Sequence, residues 1–463
     1  MNHSSVNSAG GENTADIRTK NAIIGFGKAG KTLAAALAAQ GESVVLLEKS
    51  AQMYGGTCIN IGCIPSKKLI EAGKTQDFAS AMQEKNSLIT ALRAANFQKL
   101  DDLSNVQVLT AQASFIDEHT LLASFADGST QTIHAERIFI NTGTTPRKLA
   151  MTGADLPCVY DSTQLLAQDE RPDSLVIVGA GFIALEFAFM FAAFGTQVTL
   201  LERGEFLPNE DDIVRETLQS MLAKHKINVL TNCETQAIID TGEQNGKMSA
   251  IVQTSQGEIT TSAVLIAAGR VPNTSELNLE NAGVQTDERG YVLTDGKLHA
   301  QNQQGAIAHI WALGDVAGSP QFTYISLDDY RIVRDELLGD VANGTRTKND
   351  RTPFATCVFT NPPLAHIGKK AKDASADEVV LSLPASAIVK AKVLKQTDGV
   401  LQAVVNRTTG QITGVTLLCA ESHELINLFK LAMDHGIPAS YFKHQIFTHP
   451  TIAEGLNDLF AQF

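Results

Sequence analysis

Short apolar runs set off by glycine-rich turns organise the N-terminal part of the chain. Asn21-Ala22-Ile23-Ile24 is too short and too uniformly apolar for an amphipathic helix and reads as a buried strand. Gly25-Phe26-Gly27-Lys28-Ala29-Gly30 follows, then an Ala/Leu-rich helix through Gln40, then a second buried strand, Val44-Val45-Leu46-Leu47, ending on Glu48. The same order returns later: Leu175-Val176-Ile177-Val178, Gly179-Ala180-Gly181-Phe182-Ile183-Ala184, a helix through Phe194, and Val198-Thr199-Leu200-Leu201 ending on Glu202. Glycine and acid are equally spaced in the two copies, so a βαβ unit is repeated. Each copy has a later return segment, Asn141-Thr142-Gly143-Thr144-Thr145-Pro146 for the first and Ala267-Ala268-Gly269-Arg270-Val271-Pro272 for the second. The pattern predicts an α/β fold with parallel sheets.

Between these landmarks, residues 66–100 read as helical, and residues 106–140 as short alternating strands with turns at Asp117-Glu118 and Asp127-Gly128. Glu170-Arg171-Pro172-Asp173 reads as a linker. Residues 230–265 read as strands turning at Thr241-Gly242 and Asn245-Gly246. In Ile310-Trp311-Ala312-Leu313-Gly314-Asp315, the acid follows a short strand, where it either binds a cofactor hydroxyl or caps a helix. Asn343 to Arg351 is polar and turn-rich, a boundary before a final domain.

Composition narrows the function. A length of 463 residues suits about three domains. No apolar run approaches the about 18 residues of a membrane span. A formal net charge of -13 argues against a nucleic-acid surface, which needs a basic face. Residues 1–20 are polar, lack an apolar signal segment and read as a disordered tail, so the expected compartment is the cytoplasm. There the six cysteines stay reduced unless a catalytic cycle oxidises them.

Both glycine motifs stand in the strand–turn–helix context that lets a backbone approach a pyrophosphate at a helix N-terminus, with an acid placed for ribose hydroxyls. The candidate cofactor residues are Gly25, Gly27, Lys28, Gly30, Glu48, Gly56, Thr57, Thr142, Gly143, Gly314 and Asp315 at one site. At the other they are Gly179, Gly181, Phe182, Ile183, Glu202, Arg203, Gly269 and Arg270.

The sharpest chemistry lies in Gly55-Gly56-Thr57-Cys58-Ile59-Asn60-Ile61-Gly62-Cys63-Ile64-Pro65-Ser66-Lys67. A disulfide across so short a loop stabilises by only roughly 2 kcal/mol, so its value is redox chemistry. In an unbroken helix the two cysteines would stand about 8.6 Å apart, beyond the about 7 Å that a bridge tolerates. The turn is therefore expected to be distorted, with Gly62 supplying freedom and Pro65 opening a helix whose N-terminus favours a Cys63 thiolate. A zinc half-site lacks a second ligand pair, and no metal site is expected; two buried thiols are the bland alternative. Phe447-Thr448-His449-Pro450-Thr451-Ile452-Ala453-Glu454 offers a His with a carboxylate, a tunable acid–base pair, with Pro450 opening a helix; a plain loop histidine is the other reading.

In this order and spacing, the landmarks resemble the flavin-dependent pyridine nucleotide-disulfide oxidoreductases, which include dihydrolipoamide dehydrogenase, glutathione reductase and mercuric reductase. The resemblance covers nearly everything from residue 21 to 463. It implies a discontinuous FAD-binding domain (21–150 and 275–343), an NAD(P)-binding domain (151–274), both Rossmann-like with ββα layers, and an α+β dimerisation domain (344–463). It further implies tight FAD, a homodimer with shared active sites in which His449 and Glu454 serve the partner's disulfide, Cys58 facing substrate and Cys63 beside the flavin. Lys67 and Glu186 match a charge pair flanking the flavin.

Glu202 favours NADH by repelling a 2′-phosphate, with Arg203 and Ala184 as opposing signals. The lysines in Gly25-Phe26-Gly27-Lys28-Ala29-Gly30-Lys31-Thr32, together with Met53 to Cys63 and Val159-Tyr160-Asp161-Ser162-Thr163, are similar to the bacterial reactive-chlorine-resistance flavoproteins. That likeness implies a small oxidant as substrate, hypothiocyanous acid or Cu(II). Dihydrolipoamide dehydrogenase is the alternative, and a non-catalytic redox sensor or copper-binding protein the alternative of another class. Mercuric reductase is disfavoured because the ending Asp458-Leu459-Phe460-Ala461-Gln462-Phe463 holds no cysteine pair. Cys158, Cys233, Cys357 and Cys419 are expected to be core thiols.

Overall fold

The structure, a computed structural model, describes residues 16–244, 247–339 and 346–463. The chain forms two compact units. The first gathers residues 1–65, 84–147 and 269–350, and the second residues 66–83, 148–268 and 351–463.

The first unit is built on an eight-stranded sheet. Its main path runs His299–Asn302, Gly305–Ala312, Thr130–Ile140, Ile17–Ile24, Val44–Glu48, Val106–Thr110, and the hairpin Gln112–Asp117/Thr120–Ser124 pairs onto Thr130–Ile140. Ile17–Ile24 lies parallel to both Val44–Glu48 and Thr130–Ile140. Buried Val/Ile/Leu runs occupy these central strands because both sheet faces are covered. The first strand begins at Ile17, so residues 17–20, expected in the tail, are sheet. Arg18 pairs with His134 and Thr19 with Ala135, and backbone pairing outweighs their polar composition. Residues 1–15 lie outside the described residues.

The second unit holds a parallel sheet in the order Asn228–Leu230, Gln197–Leu201, Ser174–Val178, Ala263–Ile266, Val159–Tyr160. It also holds an antiparallel three-stranded sheet and a C-terminal five-stranded sheet in the order Thr356–Val358, Leu364–Gly368, Ile412–Leu418, Val400–Asn406, Glu378–Pro384. Residues 148–268 and 351–463 pack in this one unit. Helix Phe182–Ala193 is apolar except for Glu186 and is buried from Ala184 to Phe191, as a helix with so little polar surface must largely be. It shares one core with Leu175, Leu200 and Leu265 of the parallel sheet and with Val358, Leu364, Val400 and Leu418 of the C-terminal sheet.

The stretch 66–100, expected to be helical, is two helices, Cys63–Ala72 and Phe78–Asp101. Two other local expectations are corrected. Thr241-Gly242 is no hairpin turn: strand Thr235–Gln244 runs through it with a register shift between Asp240 and Gly242, an extra residue absorbed as a bulge. The turn expected at Asn245-Gly246 lies outside the described residues. Pro450 opens no helix; the last helix starts at Gly455.

Candidate active site

The repeat seen in the sequence extends to individual hydrogen bonds. In the first copy, Gly25 N–H donates to Leu47 O (2.7 Å), Asn141 N–H to Ile24 O (2.8 Å) and Phe26 N–H to a Glu48 carboxylate oxygen (3.0 Å). In the second, Gly179 N–H donates to Leu201 O (2.8 Å), Ala267 N–H to Val178 O (2.9 Å) and Ala180 N–H to Glu202 (3.1 Å). Gly25 and Gly179 have φ of 106° and 109°, a conformation open to glycine. Each acid thus braces the glycine loop and faces the helix N-terminus where a dinucleotide would lie. Burial raises Glu48 above the usual carboxylate range, against the opposing pull of the Phe26 and Ser50 amides.

The first cradle is closed tightly. A Cβ on Gly27 would stand 2.6 Å from Asn141 Oδ1, and one on Gly30 2.5 Å from Gly25 O. Asn141 is a residue that motif reading passed over: its side chain accepts from Gly30 N–H (2.9 Å) and donates to Leu313 O (2.7 Å). It joins the glycine turn to the Gly314-Asp315 segment. A strand ending in Asn beside a Thr-Gly turn was its only sequence signal. The second cradle is looser, with nothing within 4 Å of a Cβ on Gly181. Its helix opens with exposed Phe182 and Ile183, apolar surface for a nicotinamide-sized ring, and Arg203 is exposed beside Glu202.

Around the return segments, Thr142 Oγ1 donates to Asn273 O (2.8 Å), a structural use of a hydroxyl expected to meet cofactor. Gly143 and Gly269 adopt φ of 68° and 103° over open space. Arg270 donates to Thr144 through Nε (2.8 Å) and Nη2 (2.7 Å), and Thr144 Oγ1 donates to Asp315 (3.0 Å). Asp315 is in a short 3-10 turn, Gly314–Ala317, that Leu313 precedes as cap. The capping alternative is therefore replaced by an interior position. Burial raises its carboxyl, with Thr144 and Arg270 opposing. Gly314 N–H donates to the fully buried Asp329 (2.7 Å), a second brace that the sequence reading missed.

The cysteine turn is broken as geometry requires: helix Thr57–Asn60 stops, and helix Cys63–Ala72 begins after two intervening residues. Gly62 does not take positive φ; it is there for closeness, since a Cβ would stand 3.0 Å from Thr57 O. Pro65 is in the first turn, as expected. None of the six cysteines forms a disulfide among the described residues, so Cys58 and Cys63 are a dithiol. Cys58 is pushed far up, first by its hydrogen bond to Cys63, then by burial and by Cys63's charge. Cys63, by contrast, is exposed and opens a helix, whose N-terminus favours a thiolate. Thr323 Oγ1 lies 3.8 Å from Cys63 Sγ, another residue no motif announced.

This turn rests on the first cradle. Gly56 has φ of 81°, and a Cβ there would stand 2.7 Å from Gly27 Cα. Lys31 Nζ donates to Gly55 O (3.2 Å) and Asn96 Oδ1 (2.6 Å), and Arg93 Nε to Asn60 Oδ1 (2.8 Å). Burial, with Lys28 nearby, lowers Lys31 to about 8 against the opposing pull of Cys58. Lys28 is half-buried at the start of helix Lys28–Ala39, and Thr57 opens the short helix that carries Cys58.

In the second unit, Lys67 Nζ lies 2.6 Å from Glu186, and Phe359 N–H donates to the other Glu186 oxygen (3.0 Å). Lys67 also stands 4.8 Å over the Phe359 ring. The expected pair is thus formed, with Cys357 beside it raised to about 12 by burial and Glu186. His449 Nδ1 donates to Glu454 at 2.7 Å, and the imidazole side chain is 69% exposed. The carboxylate fixes the tautomer and leaves Nε2 facing solvent. Cys158, Cys233 and Cys419 are buried in apolar clusters.

Two sequence-family descriptions match the chain: pyridine nucleotide-disulphide oxidoreductase over residues 19–329, and the dimerisation domain of the same name over residues 354–460. Among curated proteins, the chain is 45% identical over 445 residues to the probable pyridine nucleotide-disulfide oxidoreductase RclA of Escherichia coli strain K12, covering 95% of this chain and 98% of that protein. It is 31% identical over 459 residues to a mercuric reductase of Staphylococcus aureus (94% and 80% covered). It is 30% identical over 462 residues to a dihydrolipoyl dehydrogenase of Bacillus subtilis strain 168 (94% and 97%). A solved structure titled as the Cu(II) complex of the HOCl-induced flavoprotein disulfide reductase RclA of Escherichia coli superimposes with a TM-score of 0.91 at 44% identity, covering 96% of this chain and 99% of that one.

Proposed function

This chain belongs to the pyridine nucleotide-disulphide oxidoreductase family, and from that premise we propose that it uses NADH to reduce hypothiocyanous acid at the Cys58–Cys63 pair. The observation that supports this most directly is the contact of Gly56 with Gly27, which seats the dithiol turn on the wall of the first dinucleotide cradle. The glycines of that cradle, too crowded for any side chain, fit the close approach of an FAD pyrophosphate, and Glu48 its ribose. A flavin bound there supplies two-electron carriage between the nicotinamide and the disulfide. The second cradle takes NADH, with Glu202 repelling a 2′-phosphate and Phe182 and Ile183 flanking the ring.

The chain's own steps are proton and sulfur chemistry. Cys58 gives its proton to His449, which Glu454 steadies as the imidazolium. The Cys58 thiolate attacks the sulfur of hypothiocyanous acid, a Cys58 sulfenyl thiocyanate forms, and hydroxide leaves and takes up the proton as water. Cys63 then attacks Cys58 Sγ, thiocyanate departs, and the disulfide is ready for reduction again. Overall, NADH and hypothiocyanous acid give NAD, thiocyanate and water. The likeness to a dimerisation domain, and the exposed Val393, Leu431, Tyr441 and Ile446 on that segment, support a homodimer in which His449 serves the second copy's dithiol.

Steady-state NADH oxidation by the flavin-loaded protein tests the proposal, with hypothiocyanous acid, Cu(II) and, in the reverse sense, dihydrolipoamide with NAD as separate arms. The expected result is saturable turnover with hypothiocyanous acid that Cys58→Ser abolishes. Rapid dihydrolipoamide turnover without it assigns the chain to the dihydrolipoyl dehydrogenase activity instead. Turnover of Cu(II) alone makes the metal the acceptor, and NADH oxidation untouched by Cys58→Ser removes the dithiol from the reaction.

A further inference from the structure

Away from both cradles and the dithiol, the first unit brings Glu118, His119 and His309 together, with their ligating atoms all within 4.8 Å of one another. Glu118 and His119 form the turn between strands Gln112–Asp117 and Thr120–Ser124, and His309 is on Gly305–Ala312. The turn is held in place: His119 N–H donates to Asp117 (2.8 Å), and Ala135 N–H donates to His119 O (2.9 Å).

Each imidazole leaves its Nε2 open. His119 Nδ1–H donates to Ala135 O (3.0 Å), which leaves Nε2 as its lone-pair nitrogen. His309 Nε2 is covered from solvent and has no hydrogen-bond partner. In His119, a backbone carbonyl on one ring nitrogen and an open second nitrogen give the support usual for a metal-bound histidine. The rings stack at 4.0 Å and 15°, an arrangement in which His309 Nε2 is sealed without compensation, at the expense an unsatisfied buried polar atom carries.

We propose that Glu118, His119 and His309 form a surface site for a borderline divalent transition-metal ion, Zn2+ or Cu2+, bound by two imidazole Nε2 atoms, one carboxylate oxygen and water. Two imidazoles with a carboxylate suit these ions, and exclude the oxygen-seeking Mg2+ and Ca2+. Ligation at about 2.0–2.2 Å draws the three atoms together by about an ångström and opens the ring stack, a side-chain rotation that exposed turn residues make freely. The ion staples the hairpin turn to strand Gly305–Ala312. The site is independent of the acceptor read for the dithiol.

The test uses full-length, flavin-loaded protein carrying Cys58→Ser and Cys63→Ser, so that the dithiol takes no metal, after washing with chelator. Calorimetric titration with Zn2+ is expected to give one ion per chain. Frozen-solution electron paramagnetic resonance with one equivalent of Cu2+ is expected to show coupling to two nitrogens. His119→Ala and His309→Ala should each weaken Zn2+ at least about tenfold, and Glu118→Gln less, since the two imidazoles remain. With the cysteines restored, His309→Ala should leave flavin content and NADH turnover unchanged, which separates a lost ligand from a damaged fold. Zn2+ affinity unchanged within twofold in His309→Ala, or a Cu2+ spectrum without nitrogen coupling, overturns the assignment. So does the lack of stoichiometric binding.

Discussion

Adding one methyl group at mirrored positions of the repeat separates the two cradles. Gly25→Ala places a Cβ 2.3 Å from Asn141 O at φ of 106°, whereas Gly179→Ala places one 2.8 Å from Ala267 O at φ of 109°. The backbone strain is common to both, roughly 1–3 kcal/mol. The clash is not: restoring ordinary 3.4 Å contact moves the Gly25 turn by about 1 Å and the Gly179 turn by about half that. Asn141 also holds Gly30 N–H, so the first displacement disturbs the amides that would meet a pyrophosphate. The expected total is roughly 3–5 kcal/mol for Gly25→Ala and roughly 2–3 kcal/mol for Gly179→Ala. If 3 kcal/mol falls on flavin affinity, binding weakens by about two orders of magnitude. Flavin absorbance after gel filtration reads the first cradle, and the NADH concentration for half-maximal reduction in stopped flow reads the second. Gly25→Ala should emerge depleted of flavin, and Gly179→Ala should keep flavin while needing more NADH. Loss of flavin from Gly179→Ala, or wild-type flavin content in Gly25→Ala with thermal unfolding shifted by less than about 2 °C, refutes the assignment of the two cradles.

Other consequences are more local. Lys67→Met leaves the nearly buried Glu186 with Phe359 N–H as its remaining named donor. Because Lys67 is 30% exposed, the loss should be about 2–3 kcal/mol, below the range for a fully buried pair, read as a lowered melting temperature that Glu186→Gln only partly reproduces. Lys31 lies near 8 in the folded protein and near 10.4 unfolded. The unfolded chain therefore binds more protons between those values, and stability should rise with pH across that window. Lys31→Met should lose that increment in pH-dependent urea titrations. His449→Gln should lower kcat by about 10²–10⁴-fold, the usual worth of a general base. Glu454→Gln should lower kcat less and displace its pH profile, and an unchanged profile in Glu454→Gln would show that the 2.7 Å bond does not tune the imidazole.

Both cradles and the cysteine turn were legible in the sequence because they depend on residue types with few substitutes. Positive φ at Gly25 and Gly179, and a contact at Gly56 that admits no side chain, leave only glycine. Asn141, Asp329 and Thr323 were not legible, because a polar residue at a strand end or helix start has many ordinary uses, and only its distant partners reveal which one applies. The early start of the first strand was hidden by Arg18 and Thr19, whose polarity says tail while they pair with His134 and Ala135, more than a hundred positions away. The common core of the second unit did carry a signal. Phe182–Ala193 carries Glu186 as its one charged residue, so most of its surface needs cover, and the C-terminal sheet provides part of it.

The shared wall between Gly27 and Gly56 also limits how such an enzyme can be altered. A longer or bulkier reactive turn would push directly on the loop that grips the nucleotide, so the peptide around Cys58 cannot be exchanged as a separate module. New acceptors have to be accommodated by surfaces reached from the far side of the sulfur, while the chain between these two glycines stays as it is.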